Sequence, residues 1–151
     1  MTPDDPLTHE IIEQFEALAL RIETVLGPSD LKFTMELRFR LEQAAKTLSL
    51  QLRGGDDHEV AGAVTDLVNV FFPDETPIPD TWWGTELGRI AALSVGHPGA
   101  DAVSHSVAAA MLGVSRPRVT TLVGEGKLAE HPGGGVAVDS IQQRLTQHPR
   151  A

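Results

Sequence analysis

The chain contains no cysteine. That absence excludes disulfide staples, thiol nucleophiles and cysteine-ligated zinc fingers, and it fits a reducing compartment. No uninterrupted apolar run approaches the ~20 residues needed to cross a bilayer, so no membrane association is expected. The opening MTPDDPLTHE has neither a basic n-region nor an apolar h-region, which is not how a signal peptide reads; a cytoplasmic location is expected. Internal repeats and low-complexity tracts are absent. So are HExxH, a nucleophile elbow and any pair of carboxylates whose spacing argues for acid–base chemistry. No enzyme, cofactor or metal is therefore expected.

What is present suits one or two small domains: 151 residues, 41% of them apolar, enough to bury a core. The net charge of −9 is unevenly placed. Residues 1–80 hold 16 acids and 6 bases, giving −10, whereas residues 81–151 hold 5 acids and 6 bases, giving +1, with four of the six histidines. Any attraction to phosphate is then local to the C-terminal half.

Apolar spacing predicts a helix over residues 8–27, with Ile11, Phe15, Leu18, Ile22 and Val25 on one stripe. Gly27-Pro28 stops it, and Ser29 or Asp30 can cap a second helix to about Arg53. The second helix carries two stripes, one through Phe33, Leu37 and Leu41 and another through Leu31, Met35 and Phe39. Two stripes predict a helix buried on two sides, central in its domain or shared with a second subunit. A third helix is expected over 57–72, then a proline- and acid-rich linker over 73–80. A short helix near 85–94 follows, with Trp82 and Trp83 at its entrance, where packing explains them better than a ligand does.

Residues 104–128, SHSVAAAMLGVSRPRVTTLVGEGKL, read as a helix-turn-helix. Ala109 is small where two helices cross, Gly113 suits a left-handed turn, and Ser115 can cap the following helix. Ala108, Leu112, Val114, Val119 and Leu122 are apolar at offsets that join two short helices. Residues 128–138 predict a small β-hairpin around Pro132-Gly133-Gly134-Gly135. Asp139 can cap a last helix over 140–147, with Ile141 and Leu145 inward.

This order, with Gly126-Lys127-Leu128 leading out of the second helix, resembles the excisionase and MerR-like winged helix-turn-helix proteins of bacteria. The resemblance covers about residues 101–147 and implies double-stranded DNA as partner. The stretch from Glu130 to Gly135 lacks the arginines that the family wing carries. The first 80 residues resemble no family.

Arg116, Pro117, Arg118, Thr120 and Thr121 fall outside the Val119/Leu122 face. Arginine can donate two hydrogen bonds to guanine, and threonine can bond a base or touch a thymine methyl. Ser115 and the free N–H groups beside it suit a phosphate. Lys127 and Arg144 complete the candidate DNA contacts. Gly124-Glu125-Gly126-Lys127 lacks the glycine spacing of a phosphate loop and reads as a helix end. Asp56-Asp57-His58-Glu59 reads as an acidic first turn, not a metal site, and His9 and Glu13 as solvated side chains.

The expected fold is mainly α, with a helical domain over 1–78 and a winged helix-turn-helix with its hairpin wing over 79–151. The expected function is a bacterial sequence-specific DNA-binding protein, a homodimeric transcriptional regulator reading the major groove with the helix that starts at Ser115. The rival is an antitoxin or adaptor whose residues 1–78 bind a protein partner.

Overall fold

In the computed structural model, which describes residues 5–74 and 76–148, Asp5 and Pro6 together start the first helix. Proline has no N–H to leave unsatisfied there, and the Asp5 carboxylate accepts from the Thr8 N–H at 3.1 Å. Helix α1 (Pro6–Leu26) runs until Gly27. A single turn of tighter helix over Pro28–Asp30 reverses the chain into α2 (Leu31–Gly54). The two form an antiparallel hairpin whose meeting faces include Leu7, Ile11, Phe15 and Ala19 from α1 and Ala45 and Leu52 from α2.

Polar pins set the hairpin register at both ends. Thr8 Oγ1 and Ser49 Oγ lie 2.8 Å apart and 2.7 and 2.9 Å from the Asp5 carboxylate, so their two protons are shared among three short contacts, with Ser49 donating to Asp5. The Arg53 guanidinium closes on the same carboxylate. Near the turn, Arg38 grips Glu23 with two bonds of 2.6 and 2.9 Å. Hydrogen bonds from Thr8, Ser49 and Arg53 outweigh desolvation and hold the Asp5 carboxyl well below the usual carboxylate range. Arg38 likewise lowers Glu23.

Of the two expectations for helix α2, a central place within its domain is not met. It is buried on one side only, at Thr34, Ala45, Ser49 and Leu52, because a neighbour covers one stripe of a helix and no more. Leu31, Met35 and Phe39 remain 64%, 62% and 61% exposed, and Phe33 53%. Its start is not capped by Ser29 or Asp30: Asp30 precedes it without a side-chain cap bond.

Helix α3 (Asp57–Phe71) starts from a capping box. The Glu59 N–H donates to Asp56 Oδ1 at 2.8 Å and the Asp56 N–H to Glu59 Oε2 at 3.2 Å, so these acids satisfy the first turn. The chain divides into two units, Met1–Ala63 and Val64–Ala151. This division falls inside α3, earlier than the 73–80 linker. Phe72, just past α3, meets Trp82 edge-on at 5.5 Å within the second unit.

In that unit Trp82 and Trp83 sit in a 3-10 turn (Asp80–Gly84), both buried, with rings 5.0 Å apart. Next come α4 (Glu86–Ser94), capped by Thr85, and strand β1 (Ala102–Val103). Helices α5 (His105–Leu112) and α6 (Arg116–Gly124), strand β2 (Val136–Ala137) and α7 (Val138–Gln147) complete it. The strands are antiparallel, Ala102 opposite Ala137 and Val103 opposite Val136. The sequence did not announce β1, a two-residue strand. Buried Trp83, Leu87, Met111, Leu122, Val136 and Ile141 form the core.

Two further expectations are corrected. Asp139 does not cap α7, which begins one residue earlier, at Val138; Ser140 Oγ instead bonds the Ala137 carbonyl at 2.7 Å. Val114 is exposed, not buried, since the turn after α5 carries it outward. Among the described residues no helix is long and apolar enough to cross a membrane.

Asp5→Ala should destabilise the chain by about 1–2 kcal/mol at neutral pH, the usual cost of a lost N-cap. Because the folded carboxyl is held low, its contribution is full above the unfolded value of about 3.9 and is lost as pH falls towards the folded one. Denaturant titrations followed by helical circular dichroism should therefore show the wild-type advantage shrinking by about pH 3. An equal advantage at pH 7 and pH 3 contradicts the Asp5 assignment.

Candidate nucleic-acid interface

Two serines and one glycine position α6. Ser104, in extended backbone, caps α5 by accepting from the Val107 N–H at 3.2 Å. Helix α5 ends at Gly113, whose φ of 71° and ψ of 34° place it in the left-handed region, which costs glycine little and branched residues much. The Val114 N–H then returns to the Ala109 carbonyl at 3.0 Å. Ser115 is extended and caps α6, accepting from the Arg118 N–H at 3.2 Å. Pro117, in the first turn, forfeits no hydrogen bond.

Burial fixes the phase of α6. Val119 and Leu122 are 0% and 1% exposed, and with Ala108, Ala109, Met111 and Leu112 of α5 they belong to the buried core. At 100° per residue, Pro117, Thr120 and Thr121 then lie at the centre of the outward face, while Arg116 and Arg118 stand on opposite flanks, about 160° apart. All five are exposed, as is Ser115. The threonine hydroxyls donate to the carbonyls one turn back, Thr120 to Arg116 at 3.4 Å and Thr121 to Pro117 at 3.1 Å. With the proton used, each hydroxyl is left as an acceptor. Thr120 Oγ1 also lies 3.3 Å from Nδ1 of His105. His105, a neighbour of this face that sequence reasoning missed, opens α5 and so is set beside α6 only by the turn at Gly113.

The other candidate contacts are not on α6. Lys127 is exposed but paired with Glu125 at 3.1 Å, a carboxylate that would compete with a phosphate for its charge. Arg144 is half-buried in the last turn of α7. Around Gly124–Lys127 the backbone closes α6, with the Glu125 N–H on the Thr121 carbonyl and the Lys127 N–H on that of Leu122, both at 2.9 Å.

The expected hairpin pairs over a short span: the Ala137 N–H donates to Ala129 and the His131 N–H to Gly135, both at 2.9 Å, with Glu130 bridged to Val136. Its closing glycine is constrained. Gly135 has φ +81°, and a Cβ there would stand 2.7 Å from the Val103 carbonyl oxygen. The tip is exposed, and Gly133 donates to His131 Nδ1 at 3.0 Å. Elsewhere, His97 lies half-buried by Trp83, at 5.5 Å between rings, and burial lowers its pKa. His9 and Glu13 are exposed and pair with each other at 3.2 Å.

No protein-family model matches the chain, and no curated protein or solved structure matches it.

Ala109 is 6% exposed and its carbonyl anchors the turn. Ala109→Leu should overpack this site and cost about 1–3 kcal/mol. A thermal melt superimposable on wild type contradicts the close packing beneath α6.

Proposed function

We propose that the second unit is a winged helix-turn-helix and that the chain is a sequence-specific DNA-binding protein, a regulator of transcription. The observation that supports this reading is the outward face of α6: a serine-capped N-terminus, two threonines at its centre, and an arginine on each flank, with no acidic side chain between Ser115 and Gly124. A major groove admits one helix. The central Pro117, Thr120 and Thr121 meet base edges, with the threonine oxygens accepting from adenine or cytosine amino groups. Arg116 and Arg118 reach to either side, to guanine or to phosphate, and Ser115 and the N-terminal N–H groups meet a phosphate. The hairpin from Ala129 to Ala137 brings no lysine or arginine, so it approaches the backbone by shape and by N–H groups. Two copies present two α6 helices to half-sites about one DNA turn apart, with the first unit serving to dimerise.

A second reading has its own support. The exposed Leu31, Met35 and Phe39 and the acidic balance of residues 1–80 suit an adaptor that docks another protein through its helical unit.

Selection from random duplexes, followed by competition binding at two salt concentrations, tests the first reading. An arginine on guanine should, when changed to alanine, cost about 1–3 kcal/mol at one base pair and relax the preference there. An arginine on phosphate should weaken all sequences alike and reduce the salt slope by about one. The double change Arg116→Ala, Arg118→Ala should abolish selection of a preferred sequence. Wild-type affinity in that variant removes α6 as the reader and favours the adaptor.

A further inference from the structure

One flank of α2 carries a repeat that is exposed at its centre, with Lys46 half-buried and Glu42 bordering the groove beside Ile12, Phe15 and Ala19 of α1. Lys32, Met35, Phe39, Glu42 and Lys46 follow one another at spacings of three, four, three and four residues, the alternation of a coiled-coil seam. At 100° per residue they fall within an arc of about 80°. Met35 and Phe39 are the apolar centre, 62% and 61% exposed. Lys32 lies three residues before Met35, and Glu42 three residues after Phe39. The seam is therefore self-complementary when reversed. Two α2 helices laid antiparallel put Met35 against Phe39 of the second copy, and the reverse, with Lys32 opposite Glu42 at both ends.

A parallel pairing in register fails on the same residues. It stacks Lys32 on Lys32, Glu42 on Glu42 and Lys46 on Lys46, three like-charge layers around two apolar ones. The antiparallel pairing replaces the first two by opposite charges. Lys46 keeps its contact with Glu42 in its own chain, at 3.5 Å. The occupant is identified by that symmetry. A foreign partner needs no match between the two ends of one helix, whereas a two-fold interface requires it, since each patch must complement itself.

We propose that this face of α2 is a homodimer interface, an antiparallel α2–α2 seam centred on Met35 and Phe39 and flanked by two Lys32–Glu42 ion pairs. It deepens the dimerisation assigned to the first unit above, but it uses no residue of α6 and stands without DNA.

Sedimentation equilibrium of the full chain, free of DNA, tests it. The wild type should be a dimer at micromolar concentration, and Phe39→Asp a monomer with unchanged helical circular dichroism. Lys32→Glu or Glu42→Lys alone places two like-charge contacts in each dimer and should raise the dissociation constant about tenfold or more. The double reversal should bring back most of that loss. Because the chain has no cysteine, Met35→Cys mixed with Phe39→Cys should give a heterodisulfide dimer faster than either variant crosslinks with itself. A wild type that stays monomeric at tens of micromolar overturns the interface, as does a dimer indifferent to Phe39→Asp. Single reversals that weaken a dimer which the double reversal does not recover overturn the antiparallel register. Loss of DNA selection in α6 variants leaves all these readouts unchanged, so the two proposals fail separately.

Discussion

The left-handed turn at Gly113 governs what the second unit can offer to a ligand. It reverses the chain between α5 and α6, returns the Val114 N–H to Ala109, and delivers Ser115 in the extended conformation that caps α6. Once α6 starts at Arg116, the burial of Val119 and Leu122 leaves its rotation no freedom. Shifting the start by one residue would turn the helix by about 100°, burying Thr120 and exposing an apolar side chain. Turn, cap and core thus converge on one exposed set: two threonines at the centre and an arginine at each side.

That set explains how a chain of net charge −9 can be read as a DNA binder. Sequence discrimination depends on a few directional contacts to base edges, while bulk cationic charge supplies mainly sequence-independent affinity. Here the cations are few, and one of them, Lys127, already has Glu125 as its partner. The hairpin, without lysine or arginine, adds little electrostatic grip. Binding would then rest more on shape and base contact than on counterion release, with a shallow salt dependence. Were two copies to pair as proposed, doubling the contact area would offset the weakness of each, and the α2 seam would then serve the same function.

Much of the helical fold was legible in the sequence, for physical reasons. Gly113 and Ser115 are residues whose local preferences coincide with the turn and cap they form, and Val119 and Leu122 declare their burial by spacing. The helices also emerged nearly within their bounds. What escaped notice depends on distant partners. The Asp5–Thr8–Ser49–Arg53 cluster joins residues more than forty apart, and neither Thr8 nor Ser49 signals burial by type. Strand β1 is two residues long, below any detectable alternation. The placement of His105 beside Thr120 follows only from the turn. The second stripe of α2 was read as apolar and as covered either within its domain or by a second subunit; the single chain leaves it exposed, because periodicity shows that a face is apolar and not what covers it.

Backbone amide chemical-shift mapping of the full chain, titrated with a duplex recovered by selection, tests the central reading most directly. Shifts should concentrate at residues 115–121, with smaller ones over 131–135, and the amides of α1 and the first half of α2 should stay in place. Shifts confined to the helical hairpin, or none in α6 at a saturating concentration of duplex, would contradict α6 as the DNA-reading helix.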